Sequence, residues 1–121
     1  MKNCFQNLIV LFLFVSCTKS DEIFTGKNID NEILGEWNKQ YSVRDQNNGI
    51  TLYSDTIFFN HDNSGIWIRY KFNEVDNSDP FSFYTEENTL HLRFEKTGVQ
   101  NNWEYKIQLD TLIINKSNFK R

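Results

Sequence analysis

Proline occurs once in this chain and glycine only five times, so neither a collagen-like repeat nor a Pro/Gly-rich disordered polymer fits. Cysteine is almost as scarce. There are two, and Cys4 falls inside an apolar N-terminal segment, so the body has no pair to cross-link and a disulfide framework is excluded. The two histidines, His61 and His91, are far apart, and without body thiols they do not make a zinc site. Covalent catalysis needs a histidine beside a nucleophile, oriented by a third group. His61 instead sits in a turn next to Asp62, and His91 alternates with Leu90 and Leu92, which turns it outward. Glu74, Asp76 and Asp79 crowd one segment but lack the ordered spacing of a calcium loop, so they read as a hydrated turn. No glycine-rich phosphate loop is present. These gaps predict a protein that is not an enzyme and holds no metal or cofactor.

Basic residues are the minority, 13 against 16 acidic ones, for a net charge of −3. Nucleic-acid binders cluster Lys and Arg, so that class of partner is not expected. Long hydrophobic runs are missing too. The longest, Leu8–Val15, is far short of the roughly 20 residues of a membrane helix. It follows Lys2 and precedes Ser16 and Cys17, the order of a secretion leader. Val15-Ser16-Cys17 resembles the processing site of bacterial lipoproteins, whose mature first residue is a lipidated cysteine. The resemblance implies a signal peptide over 1–16, lipid attachment at Cys17, and a membrane partner held through acyl chains. Two chains anchor stably where one does not. Residues 17–31 read as a flexible polar tether. Within it, Lys19-Ser20-Asp21-Glu22 resembles the sorting signals that follow some lipidated cysteines. The place this implies is the cell envelope, at the outer membrane, on its periplasmic or surface face.

What is abundant is aromatic: 11 Phe, 5 Tyr and 3 Trp. Over 32–121 the apolar residues recur at every second position, the period of strands with one buried face. Trp37, Tyr41 and Val43 mark a first strand, and Ile50 to Phe59 a second. Ile66, Ile68, Tyr70 and Phe72 share one face of a third. Phe81 and Phe83 follow an acidic loop at 73–80. Leu90, Leu92 and Phe94 mark a fifth strand, Trp103, Tyr105 and Ile107 a sixth, and Leu112 and Ile114 a seventh. A short unit recurs at Asp55-Thr56-Ile57, Asn88-Thr89-Leu90 and Asp110-Thr111-Leu112, in which Asp or Asn turns the chain and Thr opens a strand. Such a meander loses its sticky edges by closing. The expectation is a small all-β, antiparallel, up-and-down barrel of seven or eight strands.

Ile33-Leu34-Gly35-Glu36-Trp37, Phe58 to Trp67 and Asp110-Thr111-Leu112 resemble the lipocalin-like domains of small bacterial lipoproteins. The resemblance implies that Gly35 admits the chain to the barrel floor and Trp37 plugs one end; as a bare residue, Trp37 reads equally as core. The chain departs from the family in its shorter length, and in lacking a closing helix and a Thr-Asp-Tyr motif. The family's arginine over the tryptophan ring has no counterpart in the last strand as read, where Lys116 is the nearest cation.

The expected function is a membrane-anchored binder of a small apolar or amphipathic ligand. Trp37, Tyr41, Phe59, Tyr70, Phe83, Phe94 and Tyr105 are its expected lining. Trp67 and Arg69 depend on register. With Ile66, Ile68 and Tyr70 buried, they form an outer patch with Lys71; with the register reversed, they face inward and suit an anionic amphiphile. The second reading is a protein-interaction module, such as an immunity or inhibitor protein or an accessory subunit of an envelope complex. Inward tyrosines and polar groups favour the ligand, and a dry interior of Phe and Ile favours the partner.

Overall fold

The structure, a computed structural model, describes residues 24–47 and 49–121. The leader, Cys17 and the Lys19-Ser20-Asp21-Glu22 segment lie outside the described residues. A 3-10 turn, Asn31–Ile33, precedes the sheet, with the Asp30 carboxylate accepting from the Glu32 N–H as its cap. Eight strands follow: β1 (Gly35–Arg44), β2 (Ile50–Phe59), β3 (Ser64–Lys71), β4 (Glu74–Glu86), β5 (Thr89–Phe94), β6 (Gln100–Gln108), β7 (Thr111–Ile114) and β8 (Ser117–Lys120). Each pairs antiparallel with the next, and β8 returns to β1 at Asn38 and Lys120, closing the barrel. This is the small antiparallel up-and-down barrel that the alternating pattern predicts.

Turn chemistry sets the hairpins. Phe72–Asn73 and Asn115–Lys116 both have positive φ at two successive residues, the geometry whose twist matches flanking strands. Gly35 enters β1 at φ +113, a conformation that a side chain would strain. Gly65 is required for a different reason. A Cβ there would lie 2.3 Å from the Phe58 carbonyl oxygen and 2.4 Å from the Phe81 ring.

The strand count, expected as seven or eight, is eight: Ser117–Lys120 is a strand carrying one large apolar residue, Phe119. Two sequence expectations change. Residues 74–80 of the expected acidic loop are strand, the first half of a thirteen-residue β4 whose pairing with β3 slips at Arg69/Tyr70; ladder pairing outweighs the low strand preference of Asp and Asn. Asp55 does not turn the chain. It lies mid-strand in β2, 5% exposed, while Asn88 and Asp110 do sit at hairpin ends.

The described part of the expected tether is docked rather than free. Phe24 is buried against Tyr84, with ring centroids 4.9 Å apart. Asn63, at φ +68 in the β2–β3 turn, accepts from Gly26 N–H and donates to the carbonyls of Lys27 and Phe83. Asp30 N–H donates to Thr85 Oγ1, and Tyr105 OH donates to the Asp30 carboxylate at 2.7 Å.

The core fills one end of the barrel. Ile33, Trp37, Ile57, Phe59, Phe81, Phe83, Leu90, Leu92 and Leu112 are all at most 2% exposed. Burying each such side chain is worth roughly 1.5–3 kcal/mol. Trp37 donates its indole N–H to Ile33 O at 2.8 Å. Arg121, just beyond β8, lays its guanidinium 4.1 Å above the Trp37 ring and donates to Glu32 O. That corrects the expectation of Lys116: with β8 unread, the cation following it had no place.

Candidate functional site at the barrel mouth

Register decides what faces the barrel lumen. Pairing runs Trp37–Ile57–Trp67 across β1, β2 and β3, and one step higher Lys39–Asp55–Arg69–Asn77 across β1 to β4. Above these, Tyr41 opposes Tyr53, and Tyr53 opposes Lys71. Trp67 and Arg69 therefore take the reversed register and point inward, while Ile66, Ile68 and Tyr70 lie on the outer wall. Outer burial of Ile66 and Ile68 comes from cross-strand neighbours such as Phe58 and Pro80, a site for apolar residues outside the core.

Trp67 forms the platform between the filled floor and the open end. Its ring meets Phe119 at 5.7 Å, Trp103 at 6.2 Å and Phe94 at 6.4 Å, with the first two pairs edge-on. Two connected clefts open above it, both touching Trp67, Arg69 and Trp103. One holds about 330 Å³ and reaches Lys39, Asp55 and Ser117; the other holds about 240 Å³ and reaches Asn77, Asp79 and Phe94. Together they fall within the range of small-molecule sites, roughly 300–1,000 Å³.

The collar of this cup is polar. Asp55 accepts from Arg69 Nε at 3.2 Å. That hydrogen bond, more than the opposing loss of water, raises the guanidinium pKa, so Arg69 stays cationic. Arg69 also lies over the Tyr53 ring, and Tyr53 stacks on Tyr41 at 5.4 Å. Burial, and then the Asp55 charge, pushes the Tyr41 hydroxyl above its ordinary range, keeping it protonated. Lys39 donates to Ser117 Oγ at 3.2 Å and lies over the Tyr41 and Phe119 rings.

Of the nine expected lining residues, Tyr41, Trp67, Arg69 and Phe94 converge on the cup. Trp37, Phe59, Phe83 and Tyr105 do not; they are sealed in the floor, at most 8% exposed. Their large side chains pack on one another because the lower barrel is too narrow to leave space. Tyr70 faces away, since Ser54, its β2 partner, is on the outer wall. The sequence reading missed Lys39, Asp55, Trp103 and Phe119 as lining. Lys39 and Asp55 share the parity of Trp37 and Ile57, a signal masked because charged residues are expected outside.

A larger concavity, about 780 Å³, runs along β6, lined chiefly by outward-facing Asn102, Glu104, Lys106 and Ile113. It is a solvated groove on one wall, whereas the cup draws residues from every strand. On the outer wall His91 stacks on Tyr84 at 4.3 Å and bonds to Asn102 Oδ1 through Nδ1. His61 is exposed in its turn. Among the described residues no three His, Cys, Asp or Glu side chains group to hold a metal ion.

The fold and site define an eight-stranded antiparallel barrel, filled below and open above. Compared with protein-family models, curated proteins and solved structures, the chain matches none of them.

Proposed function

We propose that this chain is a lipid-anchored, lipocalin-like binding protein that holds a small apolar or amphipathic molecule in the mouth of its barrel. The observation that carries this reading is the division of the lumen. A dry floor of Phe, Ile and Leu gives rigidity. Above it, two tryptophans, Tyr41 and two cations surround unfilled space. The Arg121–Trp37 stack adds support, since an arginine over the first-strand tryptophan is what the lipocalin resemblance implies.

Anchoring rests on the leader and Cys17. The chain reaches the barrel at Phe24, on the floor side with Tyr84 and Asn63. From Cys17 to Phe24 an extended backbone spans at most about 25 Å. A cell-envelope protein tethered in this way, at the outer membrane, keeps its floor near the bilayer and its mouth turned outward.

Native mass spectrometry of protein gently extracted from its host tests both parts. The expected species begins at Cys17, carries acyl mass, and retains a small-molecule adduct that Trp67→Ala loses. A chain without acyl mass or adduct contradicts the proposal.

One observation favours the second reading, a protein-interaction module. Val43, Ile50, Leu52, Phe72 and Val75 are each at least 46% exposed, and all belong to the ends of the two hairpins rising above the cup. A rim of that kind suits docking by another protein. Copurification of a stoichiometric envelope protein with an empty cup would select it.

A further inference from the structure

We propose that the cup selects a compact ring compound bearing one anionic group, and excludes long acyl chains; this rests on the reading of the mouth as a ligand site. The argument begins with Arg69. A guanidinium offers five N–H donors, and Asp55 engages its Nε. That leaves the two Nη groups, and Arg69 borders both clefts. Asp55 lines the 330 Å³ cleft too, but it is 5% exposed and paired with Arg69, so the two charges offset and Lys39 leaves the cleft with one net positive charge. Lys39 enters the same cleft from β1, on the far side of Asp55 in the same register row, with two of its three donors beyond the Ser117 bond. Arg69 and Lys39 thus bracket the 330 Å³ cleft, with Ser117 and Asn115 as neutral polar groups on its rim. A carboxylate, sulfonate or phosphate monoester fits between two such cations.

The rest of the ligand meets Trp67 and Trp103, whose edge-on rings leave faces and edges for a flat hydrophobic group. Asp79 lies in the other cleft, bonded to Asn77 at 2.8 Å. The anionic end is therefore placed in the Lys39 lobe. Depth sets the size limit. Beneath Trp67 lie Ile57, Phe59, Phe81 and Leu92, none more than 2% exposed, so no shaft runs down the barrel to take an extended tail. Opening one would mean displacing close-packed side chains.

Calorimetric titration of the full mature chain with 2-naphthoate, neutral 2-naphthamide and palmitate tests the inference. Naphthoate is expected to bind at least about tenfold tighter than naphthamide, the value of one charge-assisted hydrogen bond. Lys39→Gln keeps a partner for Ser117 and should erase most of that preference while leaving naphthamide affinity unchanged. Palmitate should bind more weakly than naphthoate. Equal affinity for naphthoate and naphthamide, or equal loss of both in Lys39→Gln, overturns the anion inference and leaves the cup standing. Tighter palmitate binding overturns the size limit. If no probe binds, the cup reading falls as well.

Discussion

Phe72 occupies φ +51 at the tip of the β3–β4 hairpin, more than half exposed. A left-handed backbone costs a residue with a bulky side chain roughly 1–2 kcal/mol, and this ring recovers little of that by burial. Asn tolerates the conformation and is favoured in such turns. Phe72→Asn is therefore expected to stabilise the fold by about 1 kcal/mol, read as a higher urea midpoint with unchanged slope. A lower midpoint would mean that the ring packs more than its exposure indicates. Strain retained at an exposed aromatic is the pattern of a position kept for something other than stability. At this scale the sequence was only half legible. Trp37 was readable from its setting, but strand β3 offers two apolar faces, Ile66-Ile68-Tyr70 and Trp67 with its cations. Neighbouring strands, not β3 itself, decide between them. Asp55 was misread because a carboxylate inside a barrel makes sense only once Arg69 is known to meet it.

Among the elements, the segment Phe24–Asp30 is bound to the barrel end by a chain of hydrogen bonds from Asn63, Thr85 and Tyr105. Burial first, then the bond to the Asp30 carboxylate, raises the Tyr105 pKa far above its ordinary value of 10.0. The unfolded chain binds fewer protons than the folded one once its own tyrosine ionises, so stability falls as pH rises. Tyr105's contribution is complete below about pH 10 and declines above it. Thermal unfolding of wild type and Tyr105→Phe should show the variant less stable at pH 7, with the gap narrowing above pH 10. A gap independent of pH would contradict the buried Tyr105–Asp30 link. The first half of strand β4 and the whole of strand β8 escaped the sequence for different reasons. The first half of β4 is too acidic to resemble a strand, and β8 has one apolar residue in four. Both form because hairpins supply a ready partner. Asn115–Lys116 turns β7 directly into β8, and Phe119 then reaches the Trp67 ring.

Taken whole, the molecule is a barrel closed at its narrowest by one β1–β8 register pair, with Lys39–Ser117 bridging the same seam higher up. Its outer wall carries Glu36, Asn38 and Gln40 on β1, and Asn102, Glu104 and Lys106 on β6. Those two faces suit water rather than lipid. The fold class was legible because period-2 alternation survives over nearly the entire body. The cup was not, because whether large side chains fill a lumen depends on their summed volume around eight strands. The central claim is that small molecules enter above Trp67 and stop there. With three tryptophans in the chain, the indole N–H signals in a ¹⁵N-correlated NMR titration with 2-naphthoate read this directly. The account predicts saturable shifts of the Trp67 and Trp103 signals with Trp37 unmoved. A shift confined to Trp37, or no shift at any of the three, would contradict it.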